Sequence, residues 1–326
     1  MNKINDIKSP LSIAVLGAGK IGSTFAFQLA RVGHHDVTVI SRPGSTRLKQ
    51  LQRNNGIINI KGEKANVQVT DALDEQAAYD LVIVTTLDHQ VDAVLPALQR
   101  SAAKSIQFMF VTFDPERLRN AVGTERCSFG MPAVQSIFDQ NGKLKTTIGA
   151  GGQKTLMSNQ RWVDVFSASG LPAAFEADMA LWLRCQVPLC VAFESVAVAA
   201  EKRGGGATWG EAMKTARGMH EGYALIKGLG YQVYPKSKVR LNGLPNFLVA
   251  LIFWIFTRVK SMRELLATGE RECRALVDVM LAAAPKANPP VQLSMIQAMK
   301  PYYRLEKEHD ATYAININKV TKRDLG

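Results

Sequence analysis

Gly17, Gly19 and Gly22 are spaced as GxGxxG. They follow an apolar run, Leu11 to Leu16, and open a helical pattern, Ser23 to Gly33. In that context the first glycine permits a tight turn, the second lets backbone approach a pyrophosphate, and the third lets helix and strand pack closely. The helix N-terminus then stabilises the anion. Gly17, Ala18, Gly19, Lys20, Ile21 and Gly22 are therefore expected to hold a dinucleotide. The second apolar run, Asp36 to Ile40, ends in Ser41-Arg42. A carboxylate there would repel a 2′-phosphate, whereas Arg42 can bind one bidentately, with Ser41 beside it. The expected cofactor is NADP(H). After the next strand-like run, Thr85, Thr86, Leu87 and Gln90 complete the expected cofactor set, and His89 in the same loop is a candidate proton donor. A further glycine cluster, Gly149 to Thr155, lacks the glycine that a phosphate loop needs directly before Lys154, so it reads as a turn after the last strand of its domain.

These residues need a sheet to carry them. Leu11 to Leu16, Asp36 to Ile40, Asp80 to Thr86 and Ile106 to Thr112 are nearly continuous apolar runs, as in strands buried on both faces of a parallel sheet. Helical patterns such as Gln90 to Gln99 separate them, which predicts an α/β fold: a Rossmann-type doubly wound sheet. Between Cys127 and Thr147 two strand-like pieces carry Asn141-Gly142 as a hairpin signal. Beyond Phe175 strand signals vanish. Ala177 to Ala200, bent at Pro188 and stopped by Gly204 to Gly206, begins a series of helices that continues over Glu211 to Lys227, Asn246 to Val259, Met262 to Ala284 and Val291 to Tyr303. The expected division is residues 1–175 for an NADP(H)-binding domain and 176–326 for an all-α substrate or dimerisation domain.

Composition narrows the function classes. The 326 residues carry 40 Lys+Arg against 28 Asp+Glu, a formal charge of +12, which favours anionic partners. No run of five basic residues and no nucleic-acid motif appears, so a small anionic substrate and a phosphorylated cofactor are expected, and no nucleic acid. The four cysteines, Cys127, Cys185, Cys190 and Cys273, form no CxxC pair and no zinc spacing, which predicts no metal and suits a reducing, cytoplasmic setting. Met1 to Pro10 lacks an apolar h-region, so no secretory signal is expected. Leu244 to Val259 is almost wholly apolar but shorter than the roughly 20 residues of a spanning helix. It is read as a core helix, with an interfacial or partner-facing helix, such as a subunit contact, as the alternative, and no membrane partner is expected.

The chain resembles the ketopantoate reductase family. The resemblance rests on IAVLGAGKIG, on VTVISRPGSTRLKQLQRNNGI with its Arg42 and Asn55-Gly56-Ile57, and on DLVIVTTLDHQVDAVL. ADMALWLR, Ser261 and GERECRAL extend it loosely into the helical half. The resemblance implies NADPH-dependent reduction of a 2-oxo acid such as ketopantoate to a 2-hydroxy acid, and leaves a homodimer open. The family's catalytic lysine, two residues after a tryptophan, falls at Arg184 beside Trp182, and its asparagine falls at Pro188. A second lysine position reads Leu87, and the Asn-Gly after the next strand reads Phe113-Asp114. Glu272 matches the substrate-binding glutamate, and Ser261 the carboxylate-binding serine if one residue is deleted between them; Ser261 also suits a helix N-cap. Arg184 could stabilise an oxyanion or clamp a carboxylate but is a poor proton donor. The candidate catalytic set is Arg184, Ser261, Glu272 and His89. The lost lysine and asparagine also motivate two other readings, a non-catalytic NADP(H) sensor and an amine-forming dehydrogenase. Against the latter, the helical half offers no His-Asp pair.

Overall fold

The computed structural model describes residues 9–301. The chain first lays down β1 (Ser12–Leu16), α1 (Lys20–Arg31), β2 (Asp36–Ile40), α2 (Thr46–Asn54), the short pair β3 (Ile57–Ile58) and β4 (Lys64–Ala65), β5 (Gln68–Thr70) and β6 (Leu81–Val84). A 3-10 turn, Asp88–Ala93, leads into α3 (Leu95–Arg100), β7 (Ile106–Phe108), α4 (Pro115–Val122), β8 (Cys127–Met131), β9 (Val134–Phe138), β10 (Leu144–Ile148), β11 (Thr155–Met157), α5 (Gln160–Ala168) and β12 (Ala173–Phe175). Eight strands form one sheet in the order β12-β11-β8-β7-β6-β1-β2-β5. From β5 to β8 neighbours are parallel; β11 pairs antiparallel with β8 and parallel with β12. The chain leaves β1 for β2 and β5 on one side and returns to β6 on the other. That reversal opens a crevice at the strand C-termini, where sheets of this kind bind ligands.

Alternation decides the layers. Ile13, Val15, Leu81 and Ile83 point into one core with Phe25, Trp162 and Phe166. Ala14, Leu16, Val82 and Val84 point into the opposite core with Leu98, Phe108 and Phe129. Both faces are apolar because both are covered by helices. The expected hairpin is present as β9 and β10, with Asn141-Gly142 in its turn and Gly142 at φ 71°. It forms a sheet of its own, packed on α1. The cluster at Gly149 differs from expectation: two more strands of the main sheet, β11 and β12, follow it.

After Phe175 every described element is helical: α6 (Met179–Lys202), α7 (Trp209–Gly228), α8 (Lys236–Asn242), α9 (Asn246–Phe256), α10 (Lys260–Ala267), α11 (Glu270–Ala283) and α12 (Leu293–Gln297), with a 3-10 turn at Ala284–Lys286. Pro188 does not break α6; its ring packs where Gly222 of α7 leaves room. The helix expected from Met262 to Ala284 is two helices. They part at Thr268-Gly269, and a Cβ at Gly269 would lie 2.7–3.0 Å from the Glu194 carboxyl group, so this position suits glycine. The helix expected to reach Tyr303 is α12, much shorter, and residues 302–303 lie outside the described range, as does His309. His220, without an evident partner in the sequence, meets Asn246 Oδ1 through Nδ1 at 2.6 Å.

α9 is buried on one side only. Val249, Ala250 and Phe253 lie in the helical core, whereas Phe247, Leu248, Leu251, Ile252 and Ile255 face outward. Phe253→Ala should therefore cost about 3–5 kcal/mol by leaving a cavity, whereas Ile255→Ala should change stability by less than about 0.5 kcal/mol. Urea unfolding midpoints of the two variants would check this contrast.

Candidate active site

The turn from β1 to α1 is built by exclusion of side chains. Gly17 has φ 111°, and a Cβ there would come within 2.7 Å of Thr85 Oγ1. A Cβ on Gly22 would collide with the Gly17 carbonyl oxygen. Gly19, the N-cap residue of α1, has nothing within 4 Å of its Cβ position. The middle glycine therefore faces open space while the outer two close the turn, which suits a pyrophosphate above Gly19 and the first turn of Lys20, Ile21 and Gly22. Thr85 buttresses this loop from below, donating to Gly17 O at 2.9 Å and Leu16 O at 3.3 Å. Its hydroxyl is thus spent on the loop. The neighbouring Thr86 Oγ1 is buried without a hydrogen-bond partner, and an unmet polar atom at this end of the sheet fits a bound cofactor.

Ser41 and Arg42 follow β2, Ser41 buried with its Oγ 3.2 Å from Ser45 Oγ and Arg42 exposed. A second arginine, Arg47 of α2, escaped the sequence reading. It donates to Ser23 Oγ at 3.0 Å, Gln50 Oε1 at 2.7 Å and Gly142 O at 3.1 Å, and stacks 4.1 Å from the Phe138 ring centroid. Burial lowers its pKa to about 10. It staples α1, α2 and the β9–β10 hairpin together. Beyond β6, the Leu87 N–H donates to Gln90 Oε1 at 3.4 Å, which begins the 3-10 turn.

This turn packs against α11, and α11 against α6. The contact brings carboxyl groups together. Asp88 is buried, with Thr112 as hydrogen-bond partner and Arg117 Nη2 at 3.4 Å. Burial raises its pKa despite those partners. Glu272 is pushed up to about 7, first by burial of its carboxyl group and then by the charge of Asp88. Glu194 of α6, unnoticed in the sequence, is raised well above the ordinary carboxyl range by burial and by Glu272; its Oε2 lacks a hydrogen-bond partner. His89 is lowered, mainly by burial; Asp88 opposes the shift and Arg271 adds to it. The structure thus packs the 3-10 turn that carries Asp88 and His89 against the helix that carries Arg271 and Glu272, one element from each half of the chain.

Arg184 is elsewhere engaged. It is only 4% exposed, donates through Nε to Phe113 O at 2.9 Å, and pairs with Glu116 through its terminal nitrogens. Its guanidinium carbon also lies 4.0 Å from the Tyr231 ring centroid. These contacts tie α6 to α4 and use the group that oxyanion stabilisation requires. Ser261 lies exposed within the first turn of α10, whose N-cap residue is Val259, so the N-cap expectation is corrected. A buried lysine does exist on another helix. Lys238 of α8 donates to Trp182 O at 2.9 Å and lies 3.7 Å from the Trp182 ring centroid, with its pKa lowered to about 8 by burial. Among the described residues no group of three His, Cys, Asp or Glu side chains has metal-binding geometry.

With this geometry in hand, comparison with known proteins is informative. Residues 13–155 match the model for ketopantoate reductase PanE/ApbA. This part of the chain is similar to the ketopantoate reductase family. The matched segment holds the glycine turn, Arg42 and the Asp88 loop. The helical half is related through fold. A 2-dehydropantoate 2-reductase from Porphyromonas gingivalis W83 is 16% identical, with TM-score 0.61 over 89% of this chain and 98% of that one. A PanE/ApbA family ketopantoate reductase from Ralstonia eutropha JMP134 is 16% identical, with TM-score 0.66 over 88% and 95%. D-mandelate dehydrogenase, solved with NADH and anilino(oxo)acetate, is 16% identical, with TM-score 0.65 over 88% and 96%. No curated protein sequence matches the chain.

The three glycines make a separable prediction. Gly19→Ala should leave stability within about 0.5 kcal/mol of the parent and weaken dinucleotide binding at least about tenfold by crowding the pyrophosphate. Gly22→Ala should destabilise the fold itself. Thermal melting with and without NADPH distinguishes the two effects.

Proposed function

We propose that the protein is an NADPH-dependent reductase that converts a 2-oxo acid, ketopantoate or a related compound, into the 2-hydroxy acid. The observation that carries this reading is a dinucleotide turn at the same end of the sheet as Glu272, whose carboxyl group is half protonated near pH 7. Bound NADPH supplies a hydride. Gly17 to Gly22 hold its pyrophosphate, Arg42 its 2′-phosphate, and Thr86 offers a hydroxyl toward the nicotinamide half.

Reduction of a ketone leaves negative charge on oxygen and requires a proton there. The family lysine that would donate it is absent, and Arg184 is committed to Glu116. Glu272 is the better donor of the two groups left at the mouth. Its raised pKa keeps a proton available at neutral pH, whereas the lowered pKa of His89 leaves that imidazole neutral. Arg271, close enough to depress His89, offers positive charge to the substrate carboxylate.

The sign of the pH dependence follows. A donor acid must be protonated, so kcat/KM for reduction should be full below about pH 7 and fall about tenfold per pH unit above it. Glu272→Gln should lower kcat by about 10²–10⁴-fold and flatten that profile, while the dissociation constant for NADPH stays unchanged. Stopped-flow oxidation of NADPH against a panel of 2-oxo acids, with ketopantoate included, reads both. Tight NADPH binding with no turnover of any 2-oxo acid would overturn the reductase in favour of a sensor, a reading to which the engaged Arg184 lends weight.

Cofactor choice has its own test. NADPH should bind more tightly than NADH, and Arg42→Ala should remove most of that preference with little effect on NADH. Titrations of protein fluorescence with each cofactor would measure it; equal affinities in the parent protein would refute the role of Arg42.

A further inference from the structure

The outward face of α9 belongs to none of the machinery described above. Phe247 and Ile255 at its two ends are 55% and 53% exposed, and Leu248, Leu251 and Ile252 between them are also exposed. From Leu241 to Thr257 the chain has no charged residue. The exposed apolar series continues at Val259 and, on α10, at Met262 and Leu265. Five large apolar side chains on one face of an 11-residue helix exceed the scattered exposure normal for a water-facing surface.

Positive charge predominates around this face, although one exposed carboxylate, Glu264 of α10, lies 3.6 Å from Lys260. Between Gly222 and Arg263, 42 residues, there is no aspartate or glutamate, and there are seven lysines and arginines. Lys238 and Arg263 are buried, Arg263 against Glu201. Lys236 and Arg240 before α9, and Arg258 and Lys260 after it, are exposed. Arg258 additionally lies 3.2 Å from the ring centroid of Trp254. An apolar stripe with cations at both ends is complementary to an anionic surface that has an apolar interior beneath it.

A second copy of the chain fits less well. Whichever way two α9 helices ran against each other, each positive end would meet a positive end. A net charge of +12 adds to that repulsion. Insertion across a bilayer is also disfavoured. α8 and α9 together have the composition of a broken span, bent by 107°. However, Val249, Ala250 and Phe253 anchor the inner side of α9 in the helical core. Eleven residues reach about 16 Å, roughly half the hydrocarbon thickness. α9 is thus placed to lie at a surface without leaving the domain.

We propose that α9 is a peripheral membrane-binding helix that docks the protein on anionic phospholipid, with Phe247, Leu248, Leu251, Ile252 and Ile255 entering the acyl boundary and Lys236, Arg240, Arg258 and Lys260 meeting the headgroups. This proposal departs from the sequence-based expectation of no membrane partner, because the side of α9 that faces outward is set by packing and not by segment length.

The test is co-sedimentation of the full chain with vesicles of phosphatidylcholine alone, and with vesicles in which a third of the lipid is phosphatidylserine. Binding to the anionic vesicles is expected to be at least about tenfold stronger and to weaken with added salt. Leu251→Glu with Ile255→Glu should abolish it, and Lys236→Glu with Lys260→Glu should reduce it at least about tenfold. All four positions are exposed, so melting temperature and NADPH affinity should stay at parental values. Failure of the double variants to lower binding, or equal binding to both vesicles, would overturn the proposal. So would a parent protein that gel filtration shows to be a dimer and that Leu251→Glu with Ile255→Glu splits, which would assign the face to a second copy.

Discussion

Leu183 and Arg184 are neighbours in α6 but serve different contacts. Leu183, with Met179, enters the core on one face of the sheet, whereas Arg184 holds Phe113 O and Glu116 at the strand ends. A turn further on, Val187 and Val191 fill the core of the helical half, which also takes in Val111 and Phe113 from the loop after β7. α6 therefore belongs to two cores at once. Each large side chain it buries stabilises the structure by about 1.5–3 kcal/mol, so α6 cannot shift without opening both. Glu194, three turns beyond Leu183, inherits its position from this double anchorage, as does Glu272 from the packing of α11 on α6.

The charge balance at that junction departs from the one the family resemblance implies. Where a lysine ammonium would serve, there are Asp88, Glu194 and Glu272, all with raised pKa values. Burial favours the neutral form of a carboxyl group, and a second carboxylate nearby favours it further. The same two effects that make an isolated buried carboxylate costly thus favour the protonated form of all three groups. Lys238 does not restore the balance, because its ammonium is spent on the carbonyl and ring of Trp182.

Local pattern made much of this fold legible in the sequence. Continuous apolar runs gave away the buried strands, and GxGxxG after such a run gave away the turn, because the required absence of Cβ atoms is written directly as glycine. Asn141-Gly142 likewise announced its hairpin. What stayed hidden was set by contacts between distant residues. The close approach of Gly269 to Glu194, 75 positions earlier, is one such contact, and neither helix pattern hints at it. Arg184 aligns with a catalytic position, but its partners Glu116 and Phe113 O come from α4 and the loop before it. The apolar run of α9 reads as core from composition alone; which side faces inward is decided only by the packing of α7 against it.

The Arg184–Glu116 pair has a consequence for how sequence change can act at this site. A lysine placed at 184 would inherit a carboxylate partner waiting at Glu116 and a carbonyl at Phe113, so it would be drawn to the same structural post rather than into the cleft. Removing Glu116 alone would strand a buried guanidinium. Each single step toward the family-like arrangement is therefore neutral or costly, and only the joint change opens a path. The position is epistatically locked: Arg184, Glu116 and the Phe113 carbonyl can change only together.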